Sequence, residues 1–207
     1  MKWFTKLNLP NKLTVIRMLC VVLLIVLALL PWSLWGADVA LFTIADVPFT
    51  WVRLVMFVLF AFASFTDFLD GHIARSRNLV TTFGKFMDPI ADKLLVNTLF
   101  IILTVWGEVP AVCTVIFIAR DTIVDAIRMI AVEQQKVIAA SKLGKLKTVT
   151  QMVAIILVLL QIDKFVFPVA TIFVYIAALC SLISGVDYFV KNHKIVLEGA
   201  YYNGENN

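Results

Sequence analysis

The sequence predicts an all-α fold: a polytopic membrane protein of six transmembrane helices with both termini cytoplasmic. Three observations predict it. Hydrophobic residues make up 61% of the 207, mean hydropathy is +0.94 and only 15% of residues are charged, whereas charged residues are about 25% of a soluble domain. Apolar runs near the roughly 20 residues needed to cross a bilayer recur along the chain. With the two ends and alternate loops on one side, all of the 18 Lys and Arg residues except Arg53 and Lys164 fall on that side. The positive-inside bias makes it the cytoplasmic face.

The first span, Leu13 to Leu30, opens after a basic start and is closed by Pro31 and Gly36. Lys2 and Lys6 ahead of an apolar run resemble a signal peptide, but Arg17 interrupts the run and no small-residue cleavage site follows. Pro48 precedes the second span, Val52 to Asp70, and the turn region from Gly71 to Gly84 separates it from the third, Asp88 to Trp106. Gly107 and Pro110 introduce the fourth, Ala111 to Ile130. A basic segment from Glu133 to Lys147 leads into the fifth, Thr148 to Leu160, and Asp163, Lys164 and Pro168 introduce the sixth, Phe165 to Val190. Trp32, Trp35, Trp51 and Trp106 all fall at the non-cytoplasmic ends, as an outer aromatic belt requires. No repeat or low-complexity tract divides the chain, so residues 1–207 are read as one domain. Cys20, Cys113 and Cys180 are odd in number, lie in apolar runs and share no metal-ligand spacing; they read as reduced packing residues. The net charge of +4 needs no nucleic-acid partner, because a basic inner face beside anionic membrane lipids accounts for it.

Charge is most expensive at membrane depth, and the stretch Asp67 to Asp92 places four aspartates there. Asp67 and Asp70 stand at i and i+3 on the second helix, with Gly71, Ala74 and Arg75 on the same face if the helix continues. Gly84, Asp88 and Asp92 repeat every four residues on the next. Two helices thus offer two carboxylates each to one cleft, and the small residues permit close approach. One such aspartate would read as a helix cap or a snorkelling ion pair. Four, with the glycines and an arginine, point to a site for a hard cation, Mg²⁺ or Mn²⁺, since no Cys or well-placed His joins them. A pair of such ions can hold an attacking and a leaving oxygen together. Arg75 adds a planar fork suited to phosphate.

The same segment resembles the signature of the CDP-alcohol phosphatidyltransferase family, D-x2-D-G-x2-A-R-x8-G-x3-D-x3-D, at every fixed position: Asp67, Asp70, Gly71, Ala74, Arg75, Gly84, Asp88 and Asp92. The resemblance implies a membrane enzyme of six helices, a homodimer, that moves a phosphatidyl group from CDP-diacylglycerol to an alcohol and releases CMP. It implies that Asp67, Asp70, Asp88 and Asp92 hold two metal ions, that Asp92 is also the base, and that Gly71, Arg75 and Thr81 contact the CDP moiety. Asn8 to Arg17, Leu143 to Thr148 and Ser184 to Tyr188 are similar to segments of bacterial members whose acceptor is glycerol 3-phosphate.

Asn11, Thr14 and Arg17, at the cytoplasmic entry to the first span, are candidate readers of cytidine or phosphate; the bland alternative is a helix cap. Arg120 and Arg128 lie inside a span and, with Lys136, Ser141, Lys142, Lys145 and Lys147, form the remaining basic concentration able to bind an acceptor phosphate. Asp125, three residues before Arg128, departs from the subfamily pattern and is positioned to neutralise it. Other acceptors (phosphatidylglycerol, serine, an inositol phosphate) remain alternatives within the family. A divalent-cation transporter is the alternative of another class, disfavoured because its ion site would lie near the bilayer midplane. The active site is expected to face the cytoplasm from the cell membrane.

Overall fold

Several helix starts are set by side chains that accept from the unpaired N–H groups of a first turn, among them Asn8, Thr81, Ser141 and Asp163. In a computed structural model of the protein, which describes residues 8–200 other than 33, 45–46, 77–80, 137, 139–140 and 165–166 and omits the side chains at 68, 70, 72, 74, 75, 85, 199 and 200, helix α1 spans Leu9–Leu29. Asn8 caps it by accepting from the Asn11 N–H at 3.1 Å, and Pro10 sits in the first turn, where its missing N–H costs nothing. A short antiparallel hairpin follows, β1 (Ala40–Ile44) and β2 (Val47–Thr50), with Phe42 opposite Phe49 and their rings stacked at 4.8 Å. Only turn residues are expected in this stretch from the sequence. Its β-branched and aromatic residues pair instead, and Pro48 is tolerated because a two-stranded ribbon has only edge strands.

Helix α2 (Trp51–Ser76) runs past the expected end at Asp70, so Asp67, Asp70 and Gly71 share one uninterrupted helix. Helix α3 (Thr82–Val105) starts at Thr82 rather than Asp88, with the Thr81 hydroxyl accepting from Gly84 N–H at 3.0 Å. Helix α4 (Ala111–Glu133) follows Pro110. Helix α5 (Lys142–Leu159) begins earlier than the expected Thr148, because Ser141 caps it by accepting from Gly144 N–H at 3.0 Å. Lys142, Lys145 and Lys147 are therefore helical, not loop residues. A 3₁₀ turn (Ile162–Lys164) leads to α6 (Val169–Ala200), whose first N–H groups are taken by Asp163, including that of Thr171 at 2.9 Å.

Helix α1 packs on α2 and α3, and α6 packs on α4 and α5; contacts of α3 with α4 and of α5 with α2 and α3 join the two groups. The shared core includes Leu24, Met56, Phe60, Leu99, Phe100, Phe117, Ile155 and Val174, all buried, with the Phe100 and Phe117 rings 4.4 Å apart. Cys20 and Cys113 are buried within it as free thiols, and Cys180 is free and half-buried. Outward residues are as apolar as inward ones: on α1, Leu19, Val22, Leu23 and Leu29 are exposed opposite buried Val21 and Leu24. Water-facing surfaces rarely carry such continuous apolar area. Among the described residues, two helices, Leu9–Leu29 and Val169–Glu198, are long and apolar enough to cross a membrane.

The tryptophans gather. Trp32 makes edge contacts with Trp35 at 5.8 Å and Trp51 at 5.0 Å, and Trp106 lies under the Arg53 guanidinium at 5.4 Å. Arg53, one of the two basic residues expected away from the cytoplasm, is neutralised there by Glu108.

Candidate active site

At the other ends of α2 and α3, helix α1 supplies polar residues that the aspartates need. Arg17 is wholly buried and reaches Asp67 Oδ1 at 2.7 Å. A guanidinium in an apolar bundle is tolerable only when paired, so Asp67 and Arg17 fix one another and dock α1 against α2. Three residues earlier, buried Thr14 donates to Asp88 Oδ1 at 2.5 Å. One turn before that, Asn11 accepts at its side-chain oxygen from the Thr81 hydroxyl at 2.9 Å. Asn11, Thr14 and Arg17 thus form a buried polar stripe along α1 that holds the acidic motif. The approach depends on Gly84, where a Cβ would stand 3.2 Å from Asn11 Oδ1 and 3.5 Å from Asp88 Oδ2. An added Cβ would press on the Asn11 side chain that carries this contact.

Asp92 differs from its neighbours: its Oδ1 is buried without a hydrogen-bond partner among the described residues. A buried carboxylate oxygen left unmatched is costly and marks a place for a ligand, an ion or a proton. The donor chemistry fits a hard divalent cation, with carboxylate oxygens on two adjoining helices and one of them uncommitted. Among the described residues no three acidic, Cys or His groups converge closely enough to enclose an ion. The side chains of Asp70, Ala74 and Arg75 lie outside the described residues. Gly71 is on α2 as expected.

Asp67 and Asp92 open onto a cavity of about 720 Å³ at the seam between the two helix groups. Its far walls are cationic. Arg120, Arg128, Ser141, Lys145 and Lys147, five of the seven residues expected to bind an acceptor phosphate, line it. Lys142 is exposed and outside that lining, and Lys136 is an exposed partner of Glu198. Asp121, which sequence reasoning left without a role, is buried and accepts from Lys147 at 2.8 Å on each oxygen and from Arg120 Nη1 at 3.0 Å. Arg120 Nη2 also donates to Ser184 at 2.7 Å, and Arg128 donates through Nε to the Tyr188 hydroxyl at 3.2 Å. The expectation for Asp125 is corrected: it pairs with Lys93 of α3, not Arg128. Residues three apart on a helix are neighbours, but α3 offers a closer cation and α6 offers Tyr188 to Arg128. In the sequence, Ser184 and Tyr188 stand out only within the segment similar to bacterial members; a polar or aromatic hydroxyl within an apolar span is the available signal.

Two aspartates, Asp67 and Asp92, on a cavity whose other walls carry Arg120, Arg128 and Lys145, inside a bundle of helices with apolar outer faces, define a class of membrane protein with a charged internal site. The chain belongs to the CDP-alcohol phosphatidyltransferase family, whose family model matches residues 7–183. It is 37% identical over 188 residues, 89% of this chain and 95% of the relative, to the CDP-diacylglycerol–glycerol-3-phosphate 3-phosphatidyltransferase of Bacillus subtilis. The enzyme of the same name in Rickettsia typhi is 36% identical over 186 residues, 88% of this chain and 95% of the relative. A probable phosphatidylglycerophosphate synthase of Mycobacterium tuberculosis is 40% identical over 139 residues, 67% of this chain and 66% of the relative.

Proposed function

We propose that this protein transfers the phosphatidyl group of CDP-diacylglycerol to glycerol 3-phosphate, giving phosphatidylglycerol phosphate and CMP. The observation that carries it is the single cavity joining Asp67 and Asp92 to the cationic set Arg120, Arg128 and Lys145: a reacting carboxylate at one wall, a phosphate site at the other. The similarity to enzymes named for this reaction over nearly their whole length supports the same acceptor.

In this reading Asp92 takes the proton of the acceptor's primary hydroxyl as its oxygen attacks the phosphatidyl phosphorus. The bond from that phosphorus to the CMP oxygen breaks, and CMP leaves with the electron pair. Asp67, Asp70, Asp88 and Asp92 would hold two divalent cations, Mg²⁺ or Mn²⁺, which would supply charge neutralisation for the diphosphate and the departing phosphate. Gly71, Arg75 and Thr81 contact the CDP moiety. Asn11, Thr14 and Arg17 order the motif from α1, consistent with their hydrogen bonds to Thr81, Asp88 and Asp67. Six spans with cytoplasmic termini put the cavity at the cytoplasmic surface, where glycerol 3-phosphate arrives from water and CDP-diacylglycerol from the bilayer. The tryptophan cluster at the opposite end supports that orientation. The working unit is a homodimer in the cell membrane.

The test is to incubate purified protein with CDP-diacylglycerol, a divalent metal and a panel of alcohols, identifying the lipid formed together with CMP. Phosphatidylglycerol phosphate is the expected product; use of serine, an inositol phosphate or phosphatidylglycerol instead would refute the acceptor. Arg120→Ala is expected to raise the KM for glycerol 3-phosphate at least about tenfold, the scale of one charged hydrogen bond, and to leave the KM for CDP-diacylglycerol unchanged. A Cβ at Gly185 would stand 3.0 Å from Arg120 Cγ, so Gly185→Val is expected to displace Arg120 from Ser184 and raise the same KM by about tenfold. Steady-state kinetics with each substrate varied in turn checks both.

A further inference from the structure

The cavity contains an unexplained side chain. Gln151 lies on α5, is 1% exposed, lines the cavity, and has neither its amide oxygen nor its amide nitrogen hydrogen-bonded among the described residues. A glutamine held inside an apolar helix for structural reasons would be paired at one end at least, because burying an unmatched amide is unfavourable. Two other buried polar atoms without partners belong to residues lining the same cavity, Asp92 Oδ1 and Arg120 Nε. Other unmatched groups among the described residues, Asn97 and Ser181 among them, belong to residues outside its lining. Among the described residues, the buried unmatched atoms of this lining are therefore one carboxylate oxygen, one guanidinium N–H and the two ends of one amide, an acceptor and a donor.

That set is the complement of a particular ligand. A phosphate satisfies the guanidinium, a hydroxyl that gives up its proton satisfies the carboxylate, and a second hydroxyl, which donates and accepts at one oxygen, satisfies an amide. We propose that Gln151 is a specificity-determining residue that hydrogen-bonds the non-reacting secondary hydroxyl of the acceptor, selecting a phosphorylated polyol over a simple phosphorylated alcohol. The assignment rests on the reading of this cavity as the acceptor site. An acceptor lacking the second hydroxyl leaves Gln151 dry and unpaired, and sites built around a hydroxyl reject such analogues.

The experiment compares glycerol 3-phosphate with 3-hydroxypropyl phosphate, which keeps the phosphate and the reacting hydroxyl but lacks the secondary one. Wild-type protein is expected to favour glycerol 3-phosphate in kcat/KM by at least about tenfold. Gln151→Leu is expected to lose that preference by losing activity on glycerol 3-phosphate, while its kcat/KM for 3-hydroxypropyl phosphate and its KM for CDP-diacylglycerol stay within about twofold. Gln151→Glu, which keeps the size and the acceptor but loses the donors, provides a second measurement of the same ratio if the leucine variant does not fold, and a reduced preference is expected. Equal use of the two acceptors by wild-type protein overturns the assignment, as does a parallel loss on both acceptors in the variants. If wild-type protein converts neither phosphate acceptor, the reading of the cavity falls and the assignment with it.

Discussion

Asp92→Asn is expected to lower kcat at least about a hundredfold while the affinity for CDP-diacylglycerol falls much less. Asparagine preserves the shape and one oxygen but cannot take a proton from the acceptor. The site favours a clean result, since Asp92 Oδ1 makes no hydrogen bond that the substitution would break. Asp67→Asn is the contrast. Its carboxylate balances the buried Arg17 at 2.7 Å, so neutralising it leaves a guanidinium uncompensated in an apolar bundle and disturbs the docking of α1. Substrate binding, turnover and thermal stability should all fall in that variant. Binding isotherms for CDP-diacylglycerol beside single-turnover rates separate the two residues. Equal loss of binding in both variants would refute a distinct role for Asp92 as base.

Removing divalent metal is expected to abolish turnover, and Mg²⁺ or Mn²⁺ to restore it. The motif concentrates carboxylates at the edge of apolar helices, and the described protein partners do not satisfy them all: Arg17 serves Asp67 and Thr14 serves Asp88, but Asp92 retains a buried free oxygen. A diphosphate substrate brings further negative charge to the same place. Without cations, that assembly would bring like charges together without compensation. The measurement is CMP release after exhaustive EDTA treatment, followed by titration of each metal. Full activity in chelated protein would eliminate the two-ion reading.

The helices and the acidic motif were legible in the sequence because both rest on local rules. Apolar runs of bilayer length and charge asymmetry depend on composition along the chain, and the spacing from Asp67 to Asp92 maps directly onto helix geometry. Boundaries were less legible. Ser141 and Thr81 extend α5 and α3 beyond their apolar runs by capping, a polar contribution that hydropathy does not register. The hairpin at 40–50 depends on cross-strand pairing, which turn residues alone did not announce.

What only the tertiary structure decided is which charges meet. From the sequence, Asp125 stood beside Arg128, Asp121 had no task, and Asn11, Thr14 and Arg17 were equally a helix cap or a substrate contact. Packing α3 against α4 gives Asp125 to Lys93; packing α5 against α6 and α6 against α4 leaves Asp121 to Lys147 and Arg120, and Arg128 to Tyr188. Docking α1 on α2 and α3 turns its polar stripe onto the aspartates. A charge buried among apolar helices takes the nearest partner that the packing brings within hydrogen-bond reach. The sequence by itself determined that such charges exist and on which helices, while the choice among partners far apart in the chain belonged to the three-dimensional arrangement.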